Sequence, residues 1–166
     1  MAKTITLIRL ERKKMDTIPS EIKVTIRGQS ENETRLNLTA GRFNTVIDEP
    51  RSLGGTDAGP SPIQVLLMSL AGCINVTGHL IAKEKGLHLN QMNITIEGVM
   101  NPAAFYGRSY EERAGFKQIS VMVNPDFTNA TEQDINAWLN ETEERCPVTD
   151  NIKFGTDIMV KIQKAE

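Results

Sequence analysis

The chain has 166 residues, two cysteines and a formal net charge of -2, from 19 Lys+Arg against 21 Asp+Glu. That length fits one domain with a sizeable core, and the near-neutral balance excludes a field that would steer nucleic acid or an anionic membrane onto it. In MAKTITLIRLERKKM, charges interrupt the apolar run that a secretory signal needs, so a cytoplasmic location is expected.

Along the chain, TITLIRLE from Thr4, EIKVTIRG from Glu21 and TRLNLTAG from Thr34 have the β-branched, alternating pattern of strands, and RFNTVIDEP closes a hairpin through TAG. Residues 1–20, rich in Lys and Arg and ending in KKMDTIPS, are expected to form an N-terminal extension or arm, and residues 21–166 a single domain. RSLGGTDAGPSP is a glycine-rich loop. It lacks the Lys-Ser/Thr pair of a phosphate-binding loop.

Ser61 is a good N-cap, Pro62 suits the first helical position and Gly86 suits the C-terminal cap, which predicts a helix from Pro62 to Lys85. At 1.5 Å per residue this helix runs roughly 35 Å, nearly the width of the domain. Gln64, Ser69, Asn75, Thr77 and His79 interrupt it too often for a membrane span. It is apolar on most sides, so protein should cover more than one face, and a second copy of the chain is the simplest supplier.

HLNQMNITIEGVMN and GFKQISVMVNPDF read as two strands joined by the polar, aromatic loop PAAFYGRSYEERA. TEQD opens a second helix as a capping box on Thr131. Ile135, Trp138, Leu139 and Thr142 mark its inner face, which returns to Cys146. GTDIMVKIQKAE is expected to close the fold as a strand. Strands, long helix, strands, helix and strand in that order argue for an α+β fold on a mostly antiparallel sheet.

The cysteines carry the candidate chemistry. Cys73 lies about three turns inside its helix, beyond useful reach of the N-terminal dipole. No Lys or Arg occurs between Pro62 and Ala82, so an activating cation would have to come from elsewhere, with Arg35, Arg42 and Arg51 as candidates. Cys146 precedes a proline that fits the first position of a new helix at PVTDN, where amide dipoles favour a thiolate. Cys146 is therefore expected to be the more acidic thiol and Cys73 the better shielded. The plain alternative is that both fill the core. With His79 and His88 they show no zinc spacing, and no metal is expected. His79 reads as an interior or interface histidine and His88 as a surface one.

DEPRSLGGTDAGPSPIQVLLMSLAGC, followed some seventy residues on by ERCPVTDNI, resembles the OsmC/Ohr family of osmotically inducible and organic hydroperoxide resistance proteins. The resemblance runs from about Gly28 to the C-terminus. It implies an intertwined homodimer in which the sheets wrap around paired long helices. By position, Cys73 corresponds to the peroxidatic cysteine, Cys146 to the resolving cysteine and Arg35 to the arginine that steadies the thiolate. The implied activity is reduction of organic hydroperoxides by a cycle of sulfenic acid, disulfide and external dithiol, without metal, flavin or other cofactor. One position departs from the pattern. The family's enzymes usually carry a glutamate one or two residues after the proline, where this chain has Ile63 and Gln64. Gln64 and Glu49 are the candidate substrate-side residues, and Glu49, Asp48 or Asp57 are the candidates to replace the missing acid beside Arg35. The departure also favours an alternative, a non-catalytic dimer that binds a small lipophilic ligand.

Overall fold

A computed structural model describes residues 19–163. The strand expected from Thr4, and nearly all of the arm, lie outside these residues. The chain forms two compact units that divide after Gly59, and the fold is mixed helix and antiparallel sheet, the class the sequence order implied.

In the first unit, β1 (Arg27–Ser30), β2 (Leu36–Ala40) and β3 (Phe43–Ile47) form an antiparallel sheet in that order. Leu36 pairs with Ile47 and Ala40 with Phe43, so the hairpin turns at Gly41, whose φ of 59° suits a residue without a side chain. The loop after β3 folds back onto the carboxylate of Asp48, which is fully buried. Asp48 accepts hydrogen bonds from the Thr56 hydroxyl at 2.5 Å and from the amides of Thr56, Ala58 and Glu49 at 3.0, 3.2 and 2.9 Å. Gly55 is required there by close approach, since a Cβ would stand 1.7 Å from the Glu49 carbonyl oxygen.

The second unit is built on α1 (Pro62–Glu84). β4 (Leu89–Met100) and β5 (Phe116–Phe127) form a long antiparallel hairpin, followed by α2 (Glu132–Arg145) and α3 (Pro147–Phe154). β4 alternates cleanly, with Met92, Ile94 and Ile96 turned inward and Asn93, Thr95 and Glu97 outward. Leu70, Ile74, Thr77, Gly78, Ile81 and Ala82 form the buried stripe of α1, at the spacing of one helical face. Two apolar clusters lie along it. One joins Leu70 and Ile74 to Cys146, and the other joins Ile81 and Ala82 to Trp138. The Trp138 indole donates to the Gly78 carbonyl at 2.7 Å, and a Cβ at Gly78 would meet its ring at 2.8 Å, so this glycine sets how closely α2 approaches α1.

Two expectations change. The strand expected from Glu21 forms a ladder only over Arg27–Ser30, and the strand expected from Gly155 to the end is absent among the described residues. Both segments are extended in sequence character, but a strand exists only where a neighbouring edge receives its amides and carbonyls. Their apolar side chains stand in solvent: Ile22, Val24 and Ile26 in one segment, Ile158, Val160 and Ile162 in the other. Within the single chain α1 is buried on one face, which leaves its other face open for the second copy that the sequence calls for. Leu66, Met68, Val76 and Leu80 are exposed. His79 is exposed as well, on the helix, and His88 is exposed as expected.

The hydrogen bonds to Asp48, that of the Thr56 hydroxyl first, hold its carboxyl well below its ordinary value of 3.8. A depressed carboxylate pKa contributes stability above the unfolded-state value and loses it as pH falls through and below that value. Asp48→Asn should therefore lower the Tm at neutral pH, and the gap to the parent chain should narrow once pH drops below about 4. Thermal melts followed by circular dichroism at neutral and acid pH check this, and coincident neutral melts would contradict it.

Candidate active site

The second unit brings Cys73 and Cys146, 73 positions apart in sequence, to an Sγ–Sγ distance of 2.8 Å. Both are free thiols. The gap is wider than a disulfide bond of about 2.05 Å, so the two sulfurs are in contact and unbonded. Three local features produce this. Cys73 sits on α1 one residue before Ile74, at the margin of the buried stripe. Trp138 and Thr142 turn inward on α2, and this face carries the chain end at Cys146 into the core. Pro147 then breaks α2 and starts α3, which leaves Cys146 as the residue between the helices, with extended backbone at φ −79° and ψ 112°.

The surroundings of the pair are apolar: Leu70, Ile74, Ile94, Ile96, Ile119, Val123, Val148 and Ile152 pack around it. Burial is unequal. Cys146 is 0% exposed, whereas Cys73 is partly exposed, so the expectation that Cys73 is the better shielded thiol is reversed. α1 presents the flank of its stripe at Cys73, while Cys146 lies under both α2 and α3.

The expected order of acidity holds. Burial raises the Cys73 thiol, and its contact with Cys146 raises it further, although the Val148 amide and the Thr77 hydroxyl oppose this. Burial also acts upward on Cys146, but hydrogen bonds from Cys73, from the Thr149 hydroxyl and from the amides of Thr149 and Val148 outweigh it, and the net shift is downward. Either thiol could donate across the gap. The opposite shifts of the two thiols are those expected when Cys73 S–H donates to Cys146. None of these dominant influences is a cationic side chain. Arg145, next in sequence to Cys146, is engaged with Glu84 at 2.5 Å and Glu141 at 2.8 Å.

The remaining sequence candidates are placed as follows. Arg35 is half-buried in the first unit, with its Nε 3.2 Å from Glu31 Oε2. The acid beside Arg35 is thus Glu31, four residues earlier, and not Glu49, Asp48 or Asp57. That spacing was legible, but the bend between β1 and β2 that closes it was not. Gln64 Oε1 accepts the Ser61 amide at 2.8 Å, which makes it part of the cap of α1. Glu49 is half-buried, and its backbone carbonyl accepts the Asp57 amide at 3.2 Å. Among the described residues, no group of three or more His, Cys, Asp or Glu is arranged to hold a metal ion. Sequence reasoning used the proline after Cys146 to place the first turn of a helix there, and missed only the Thr149 hydroxyl.

A cavity of about 510 Å3 lies in the second unit, lined by Leu70, Ile74, Phe116, Ile119 and Val123 among others, with Thr149 in its wall. It shares Leu70 and Ile74 with the cluster around Cys146.

Fold and site together define a class: an α+β protein in which a long helix sets one cysteine against another at the start of a following helix. Residues 55–161 match the family model described as OsmC-like protein, and the chain belongs to that family. The solved structure of an OsmC-like protein from Mycoplasma pneumoniae superposes with a TM-score of 0.69 at 20% identity, covering 80% of this chain and 89% of that one. An organic hydroperoxide resistance protein OsmC from Legionella pneumophila gives 0.60 at 19% identity, over 84% and 95%. The organic hydroperoxide resistance protein OhrB of Bacillus subtilis gives 0.53 at 15%, over 80% and 91%. At these identities the likeness is one of fold. No curated protein matches the chain. By length and composition α1 could cross a membrane, with a mean hydropathy of 1.8 over its most apolar window. In this family fold it is a core helix.

Proposed function

We propose that the chain is a cytoplasmic thiol-dependent peroxidase that reduces organic hydroperoxides. The observation that carries this reading is the 2.8 Å contact between Cys73 and Cys146. With Cys73 S–H donating to a Cys146 thiolate, the pair shares one negative charge. As Cys73 sulfur attacks the terminal peroxide oxygen, its proton passes to Cys146. The O–O bond breaks, the departing alkoxide takes a proton from solvent, and Cys73 becomes a sulfenic acid. Cys146 sulfur then attacks the Cys73 sulfur and hydroxide leaves as water, which forms the disulfide. Two electrons from an external dithiol restore both thiols by exchange. Arg35 is retained, on resemblance alone, as the group that steadies the Cys73 sulfur as its proton leaves.

A second reading has its own observation. The cavity of about 510 Å3, whose wall joins Leu70, Ile74, Ile119 and Val123 to Lys117, Glu143 and Lys153, has room for a small ligand with a lipophilic body and a polar end. The two readings part on one substitution. Mixed with cumene hydroperoxide and a dithiol, the parent chain should consume peroxide and Cys73→Ser should lose at least about a hundredfold in turnover. If both thiols persist in the parent chain while a known peroxidase consumes the same peroxide, the enzyme reading fails.

We further infer a homodimer, with residues 21–166 as one domain in each copy and the first twenty residues as an arm. The uncovered face of α1 and the unpaired apolar segments at residues 22–26 and 158–162 support it. Val76 is 67% exposed, so a lysine there costs the single chain little. Val76→Lys should leave the far-ultraviolet spectrum intact and shift the protein to a monomer in sedimentation velocity. A parent chain that sediments as a monomer at micromolar concentration would overturn the inference.

A further inference from the structure

The Cys73–Cys146 pair has a property that owes nothing to peroxide. Its sulfurs stand 2.8 Å apart as free thiols, held there by the fold without a bond. Such a pair is a two-sulfur chelate, and its geometry selects what it can hold. Thiolate sulfur is a soft donor that prefers soft centres. A linear two-coordinate ion needs its sulfurs on opposite sides, which a pair in contact cannot offer. A tetrahedral zinc ion needs four ligands, and among the described residues no group of three or more His, Cys, Asp or Glu is arranged to hold a metal. A pyramidal trivalent arsenic centre differs from both, because it binds two sulfurs on one side of itself, close to a right angle apart and nearly touching.

The third position on arsenic decides the class. Inorganic arsenite fills it with a third thiolate, and this chain has two cysteines. A monosubstituted arsenical fills it with carbon. The neighbours of the pair suit that carbon, since Leu70, Ile74, Ile119, Val123 and Ile152 belong both to the apolar packing around the sulfurs and to the wall of the cavity of about 510 Å3.

We propose that Cys73 and Cys146 together form a binding site for monosubstituted trivalent arsenicals, R–As(OH)2, with R lodged among those five apolar side chains. Two S–H and two As–O bonds break, two As–S bonds form, and the hydrogens leave with the oxygens as two molecules of water. Nothing is oxidised or reduced, and no co-reactant is needed. Because the fold has already brought the sulfurs together, the second As–S bond is an intramolecular step, which strengthens binding by about a hundredfold or more over a single thiol. Binding of this kind requires the sulfur contact alone and is independent of whether the chain reduces peroxides.

The reduced full chain is titrated with phenylarsine oxide, which hydrates in water to such an arsenical, and is followed by intact-mass spectrometry and by alkylation with iodoacetamide. The expected product carries one phenylarsenic group in place of two thiol hydrogens, with both cysteines protected from alkylation. It should release the group to 2,3-dimercaptopropanol and keep it against the same concentration of 2-mercaptoethanol. Cys73→Ser and Cys146→Ser should each weaken binding about a hundredfold or more. The parent chain unfolded in urea keeps both thiols but must close a loop of 73 positions to bridge them, so its affinity should fall at least about tenfold. A chain that takes up the arsenical but spares cumene hydroperoxide keeps this site and loses the peroxidase reading. An arsenical held by one sulfur with the other free to alkylate, equal affinity in the folded and unfolded chain, or no uptake at micromolar concentration would each overturn the proposal.

Discussion

Everything chemical in this chain depends on the contact between Cys73 and Cys146, and on the apolar packing that holds it. Sulfurs 73 positions apart meet only because α1 is long enough to carry one of them to the core. α2 ends where Pro147 forces it to end. The Trp138 indole, bonded to the Gly78 carbonyl and stacked edge-on with Phe127 at 5.2 Å, fixes how α2 lies on α1. A shift of one turn in either helix would part the sulfurs by several ångströms.

Burial makes the contact chemically useful. In water each thiol would titrate near its ordinary value. Here desolvation opposes ionisation at both sulfurs, and only the donors of α3, with Cys73 itself, reverse it at Cys146. The two thiols are thereby shifted in opposite directions, Cys73 upward and Cys146 downward. The ion pairs that join α1 to α2, Glu84 and Glu141 with Arg145 and Lys85, are half-exposed and add little to stability. Packing holds the site.

Much of this was legible in the sequence. Ser61 and Pro62 start α1 where expected, Thr131 and Asp134 cap α2, and the proline after Cys146 opens α3. Each is a local signal with a local cause. What failed depended on surroundings. EIKVTIRG and GTDIMVKI have strand composition, but pairing is settled by a neighbouring edge that composition cannot show. Relative exposure of the two cysteines was misjudged because helix depth was read as shielding, whereas shielding depends on which elements lie over each sulfur. The partner of Arg35 was sought in the wrong loop for a similar reason, since Glu31 comes near only through the bend before β2.

The central claim is that the native fold already holds the two sulfurs in place to join. Equilibrium urea unfolding of the reduced chain against the diamide-oxidised chain tests it most directly. A bond closing a loop of 73 positions without distortion should raise unfolding free energy by roughly 4 kcal/mol. An oxidised chain no more stable than the reduced one, or less stable, would mean that the bond strains the fold and that the contact is not a prepared site.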